Sequence, residues 1–146
     1  MLFKNDDSSL KLDIVSYEFP PYGGADGSDD RNWLVVRATW ITEDGDIIKD
    51  TNSCLLTYEL QEMTAGLKVL NAGIKSYYET DFSEPYFSLA AALTDRDTIV
   101  MGVSFYMPNT MADEDTAEIE CEMTHEEMKS LIAELDKYCA KFPDRK

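Results

Sequence analysis

The sequence predicts an α+β fold in a single domain spanning residues 1–146, an antiparallel sheet of six or seven strands carrying two main helices. Three observations predict it. Strand-like segments come in runs and do not alternate with helices, which favours antiparallel pairing with the helices segregated on the sheet. Two segments carry apolar residues at the three- and four-residue spacing of an amphipathic helix. The chain has 146 residues, 44% hydrophobic and 29% charged, which is enough for a sizeable core and is the balance of a globular protein.

The first strand is expected over residues 10–19. Leu10, Leu12 and Ile14 alternate with polar residues, and then Val15, Tyr17 and Phe19 take the opposite parity, which predicts a bulge or twist at the change. A loop follows, rich in proline, glycine and aspartate. Residues 32–42 form the most β-prone segment, rich in Trp, Val and Thr. Glu43-Asp44-Gly45-Asp46 predicts a tight hairpin turn, with residues 47–51 as the return strand. Thr57 is expected to cap a helix over residues 58–70, where Leu60, Met63, Leu67 and Leu70 share a face. Gly66 within that helix suggests close packing against the sheet. Asn71 and Gly73 end it.

Strands are then expected at residues 74–80, 86–93, 98–107 and 117–123. Thr124-His125-Glu126-Glu127 is a capping box. The helix behind it carries Met128, Leu131, Ile132, Leu135, Tyr138 and Phe142 on one side, and Pro143 stops it. Trp33, Leu55, Leu60 and Leu135 are expected in one core. Cys54, Cys121 and Cys139 are far apart and form no CxxC, which predicts reduced, buried thiols without a disulfide or a zinc site.

The charge is the unusual feature. Twenty-nine acids stand against thirteen bases, giving −16. Such a surface repels phosphates and anionic membranes and attracts cations, so nucleic acid and membrane are not expected partners. No stretch has the apolar length of a secretory signal or a membrane span, and the protein is expected to be cytoplasmic.

Asn32-Trp33-Leu34 opens a strand. Downstream of a short hairpin, Ser53-Cys54-Leu55-Leu56-Thr57-Tyr58-Glu59-Leu60 opens a helix. Near the end, a strand with alternating acids feeds a helix that finishes Lys141-Phe142-Pro143. This arrangement resembles the WapI family of bacterial immunity proteins, which protect a cell from the C-terminal toxin domain of a wall-associated, contact-dependent toxin. The likeness runs from about residue 10 to residue 143. Tyr58 stands where the family pattern has tryptophan, and residues 77–110 match loosely. Toxins delivered by such systems are often nucleases. The motif residues themselves read as core, so the resemblance implies the scaffold more than the binding surface.

The candidate binding surface comes from the residues. Residues 113–127 hold eight carboxylates and no lysine or arginine. In a strand, Glu118, Glu120 and Glu122 share one face, about 6.6 Å apart, while Ala117, Ile119, Cys121 and Met123 face the other way. Asp113, Glu114 and Asp115 add charge at the start. Between residues 76 and 128, Arg96 is the sole lysine or arginine. A row of like charges destabilises a sheet unless lysines lie opposite or a partner supplies the cations. The bland alternative is a solvated face or a protected edge strand. A second candidate is the loop that carries Tyr22, Asp26, Asp29 and Asp30, since flexible loops often carry recognition; the alternative there is a mere connector. An EF-hand starting at Asp26 fails, because its sixth and twelfth positions are Arg31 and Arg37.

His125 is the sole histidine and is read as an exposed, structural part of the capping box. GxSxG, HExxH, P-loop and GxGxxG motifs are absent, and no spacing makes carboxylates converge on a metal. The expectation is a non-enzymatic immunity protein, needing no cofactor, that binds the basic domain of a cognate toxin. An acidic adaptor with a different partner is the alternative reading, and an enzyme the third.

Overall fold

The computed structural model describes residues 1–22, 29–110 and 116–146. Two four-stranded antiparallel sheets carry the fold, each with its strands in sequence order. The first contains β1 (Leu2–Lys4), β2 (Ser9–Tyr17), β3 (Trp33–Ile41) and β4 (Ile47–Leu56). Helix α1 (Thr57–Asn71) follows. The second sheet contains β5 (Tyr77–Glu79), β6 (Phe87–Leu93), β7 (Thr98–Tyr106) and β8 (Thr116–Thr124), and α2 (His125–Lys141) comes last.

The expectation of a single six- or seven-stranded sheet is corrected, among the described residues, to eight strands in two sheets. The break falls at α1, which joins β4 to β5 and packs against both. The sheets meet instead along β1 and β8, where the Asn5 side-chain amide donates to the Glu120 carbonyl oxygen at 3.0 Å. Strand β1 has three residues, too few for alternation to reveal it. Its turn into β2 is held by Asn5 Oδ1, which accepts from the backbone N–H groups of Asp7 and Ser8, both at 2.9 Å.

Local expectations hold where the chemistry is local. The register of β2 against β3 shifts between Ile14 and Ser16, so Val15 is the bulge that the change of parity predicts. Gly45 has φ +87°, and Thr42 and Asp46 close the hairpin through Thr42 N–H to the Asp46 carbonyl at 2.9 Å. Gly73, at φ +75°, ends α1. Thr124 and Glu127 exchange both bonds of the capping box at 3.1 Å each.

Thr57 is not the cap of α1. Leu56 takes that position, and the Glu59 carboxylate accepts its N–H at 3.0 Å. Glu59 is 2% exposed, and its second oxygen accepts Ser83 N–H at 2.7 Å, fixing the β5–β6 connection to the start of the helix. The Thr57 hydroxyl is thereby left to donate to Asp144.

One apolar cluster draws on both sheets and both helices and includes Leu55, Leu60 and Leu135, as expected. Trp33 is the exception. It is half-buried and outside the cluster, because β3 turns Leu34, Val36, Ala38 and Trp40 inward. Trp40 is therefore the core tryptophan. Cys54 and Cys121 are buried and unpaired, while Cys139 is half-buried. Burial pushes the Cys54 thiol up to about 12, and the nearby charges of Glu59 and Glu84 add to the shift.

Asp50 makes a second tie between the sheets. It is 8% exposed, yet its carboxylate accepts from Thr51 N–H, from the Asn52 amide, and from both the backbone N–H and side-chain amide of Asn109 at 3.1 and 3.0 Å. Asn109 follows β7, so one carboxylate on β4 holds the far end of the other sheet.

Candidate functional site

Strand β8 is built as its alternation requires. Ile119 and Cys121 are 5% and 6% exposed and face the core, while Glu118, Glu120 and Glu122 stand exposed on the outer face. The apolar half anchors the strand, and β7 fixes its register: Ser104, Gly102 and Val100 lie opposite Glu118, Glu120 and Glu122. Among the described residues, no lysine lies across the ladder from them.

The three glutamates are not equivalent. Arg96, at the β6–β7 turn, reaches Glu122 at 2.9 Å, and the Thr98 hydroxyl donates to the same oxygen. The hydroxyl and then the guanidinium hold the Glu122 carboxyl below its ordinary range. Among the described residues, no cation pairs with Glu118 or Glu120. The answer to the row of like charge is thus partial, at one end.

The register of the second sheet adds a carboxylate that the sequence does not single out. Glu79 pairs with Ala90, Ala90 with Gly102, and Gly102 with Glu120. A carboxylate therefore stands at each edge of one cross-strand row, with two of the smallest residues between. Ser88 and Ser104 extend this low floor, and together these residues line a shallow trough of about 450 Å³. It continues beside Tyr77, Ala92 and Val100. The run of Ser88, Ala90 and Ala92 at every second position is the signal in the sequence, but its partners are set by pairing alone.

The loop residues lie elsewhere. Tyr22 is 94% exposed, and Asp29 and Asp30 begin a short 3₁₀ turn (Asp29–Asn32) leading into β3 of the first sheet. Burial first, and then the charge of Asp29, raises the Tyr58 phenol on α1. This group and the β8 glutamates belong to different sheets. Asp26, Asp113, Glu114 and Asp115 lie outside the described residues.

The base of that loop is clasped by a group that sequence reasoning missed. Arg145 lies over the Tyr17 ring at 3.6 Å and donates to the carbonyls of Phe19 and Arg31. Asn32 exchanges hydrogen bonds with the Arg145 backbone at 2.7 and 3.0 Å.

His125 is also more than an exposed cap residue. Its Nδ1 lies 2.7 Å from Asn71 Oδ1 at the end of α1, and its Nε2 lies 3.2 Å from Asp97, so it ties both helices to the β6–β7 turn. Among the described residues, no three His, Cys, Asp or Glu side chains are arranged to hold a metal ion, and no helix is long and apolar enough to cross a membrane.

Fold and site together define an acidic α+β protein whose second sheet presents a carboxylate-edged outer face. A model of the Immunity protein WapI-like family matches residues 1–143, and the chain belongs to that family. Its general role is that of an immunity protein, with a toxin protein as partner. Comparison with curated proteins gives no match.

Proposed function

We propose that the protein neutralises a cationic toxin domain by covering the toxin's substrate-binding surface with the outer face of its second sheet. The observation that carries this reading is the pair Glu118 and Glu120, exposed, adjacent on one face and without a cation among the described residues. Leaving like charges unanswered on a ladder lowers stability, and a basic partner would remove that cost on binding. A toxin that acts on nucleic acid carries such a basic surface, so a nuclease delivered by contact between cells fits best. The chain then acts by binding, inside the cell it protects, without a reaction or cofactor of its own. Asp113, Glu114 and Asp115 extend the same charged strand in sequence. Tyr22, Asp26, Asp29 and Asp30 would offer a second contact.

Complementary charge would mainly speed encounter, and packed anchors at the centre would set the dissociation rate. The test replaces Glu118, Glu120 and Glu122 together with glutamine and measures association with the cognate toxin domain, sought first among the neighbouring genes. A slower on-rate, a shallower salt dependence and weaker protection of cells are expected. Glu43→Gln, Asp44→Asn and Asp46→Asn remove the same charge from the exposed β3–β4 turn of the other sheet and serve as the control. Equal effects from both triples would show that total charge alone matters, and the strand would lose its claim.

A further inference from the structure

We infer that the trough on the outer face of the second sheet seats one α-helix of the toxin, laid along β8 with lysine or arginine on its flanks; this rests on the immunity reading proposed above. Three features of the trough select that occupant.

The first is width. Glu79 and Glu120 close a row that spans three strand spacings, about 14 Å between backbones. A helix with its side chains is about 10–12 Å across, so it fits between the two carboxylates. The second is depth. Ala90 and Gly102 form the middle of that row, and Ser88 and Ser104 flank it, so a helix can approach the sheet closely. A Cβ added at Gly102 would meet nothing within 4 Å, which marks open space above the strand and no demand of the fold for glycine there.

The third is hydrogen bonding. The backbone groups of β6 and β7 are paired within the sheet, so its face offers no ladder to an incoming strand. An extended segment covered by this face would leave its own N–H and C=O groups unpaired, whereas a helix satisfies them internally. Charge spacing agrees. Glu118 and Glu120 are two strand residues apart, about 6.6–6.8 Å, and basic residues at i and i+4 of a helix rise about 6 Å.

The experiment uses the full chain and the cognate toxin domain found for the test above. Gly102→Leu fills the trough without altering any charge, and Thr51→Leu places the same side chain on the exposed face of β4. Thermal melts should show both variants folded. Gly102→Leu should weaken binding at least tenfold and Thr51→Leu should leave it unchanged. Carbodiimide cross-linking of the wild-type complex should join Glu118 and Glu120, on one edge of the trough, to toxin lysines three or four residues apart in one segment, and Glu79, on the other edge, to a lysine on the opposite flank of that segment, two or five residues away. Wild-type affinity in Gly102→Leu, with weakened binding in the glutamine triple, would overturn the trough and leave the immunity reading standing. Lysines two apart joined to Glu118 and Glu120, or cross-links scattered over unconnected segments, would overturn the helix. A wild-type dimer that Gly102→Leu splits would assign the trough to a second copy of this chain and overturn the inference. A toxin domain that the wild-type protein does not bind would remove the functional reading and this inference together.

Discussion

The ring of Tyr78 occupies the space beside Gly66 that any other residue's Cβ would fill. A Cβ built at position 66 would fall 2.2 Å from Tyr78 Cε1 and 2.5 Å from Cδ1. Gly66 lies in the middle of α1 and Tyr78 in β5, so this contact seats the helix on the edge of the second sheet. Gly66→Ala should be destabilising by about 1–2 kcal/mol, since overpacking costs about 1–3 kcal/mol and the gain in helix propensity returns up to about 1 kcal/mol. In a Tyr78→Ala background the same change should stabilise. Urea denaturation of the four proteins checks the sign of the coupling. Gly66→Ala that stabilises with Tyr78 present would mean the ring moves aside freely.

Asp50 and Asn109 should behave as a unit. Removing the buried carboxylate strips a partner from four donors on two sheets, and Asp50→Ala should cost about 2–3 kcal/mol. Asn109→Ala should cost less, and the double variant should cost clearly less than the sum. Additive losses in denaturant melts would separate the two residues.

The Glu122 carboxyl, held low by Thr98 and Arg96, should titrate below the ordinary glutamate value of about 4.3. A folded-state value below the unfolded one means that its contribution to stability is present above the ordinary value. It is lost as pH falls through the depressed one. Carboxyl NMR shifts against pH check this directly. Thr98→Val with Arg96→Ala should return the midpoint toward about 4.3, and an unchanged midpoint would remove both partners from the account.

Thiol labelling should follow burial. Cys54, pushed up to about 12, and Cys121, also raised by burial, should resist alkylation in the folded protein at pH 8, with Cys139 reacting first. Mass spectrometry of peptides after brief labelling gives the order. Early labelling of Cys54 would show that the core opens around β4.

How far the sequence reaches is clearest along β8. Strict alternation is a property of adjacent residues, so the outward row of Glu118, Glu120 and Glu122 and the inward Ile119 and Cys121 could be read before any coordinate was known. The same holds for the turn at Gly45 and the capping box of Thr124 and Glu127, each closed between residues at most four apart, and for the change of parity that marks the bulge at Val15. The family motif reached further, to the family itself and the general role of an immunity protein.

What the tertiary structure alone decided is everything that depends on which strands pair. Alternation in β3 offered either parity, and packing chose Trp40 over Trp33 for the core. The helix after β4 separated two sheets where a single one was expected. Pairing then set Glu79 across Ala90 and Gly102 from Glu120, and brought Arg96 to Glu122 across 26 residues. The physical reason is range. Backbone sterics and hydrogen bonds act between near neighbours and are written in short windows of sequence. Pairing and packing follow from a global balance of buried area and chain entropy that no window contains.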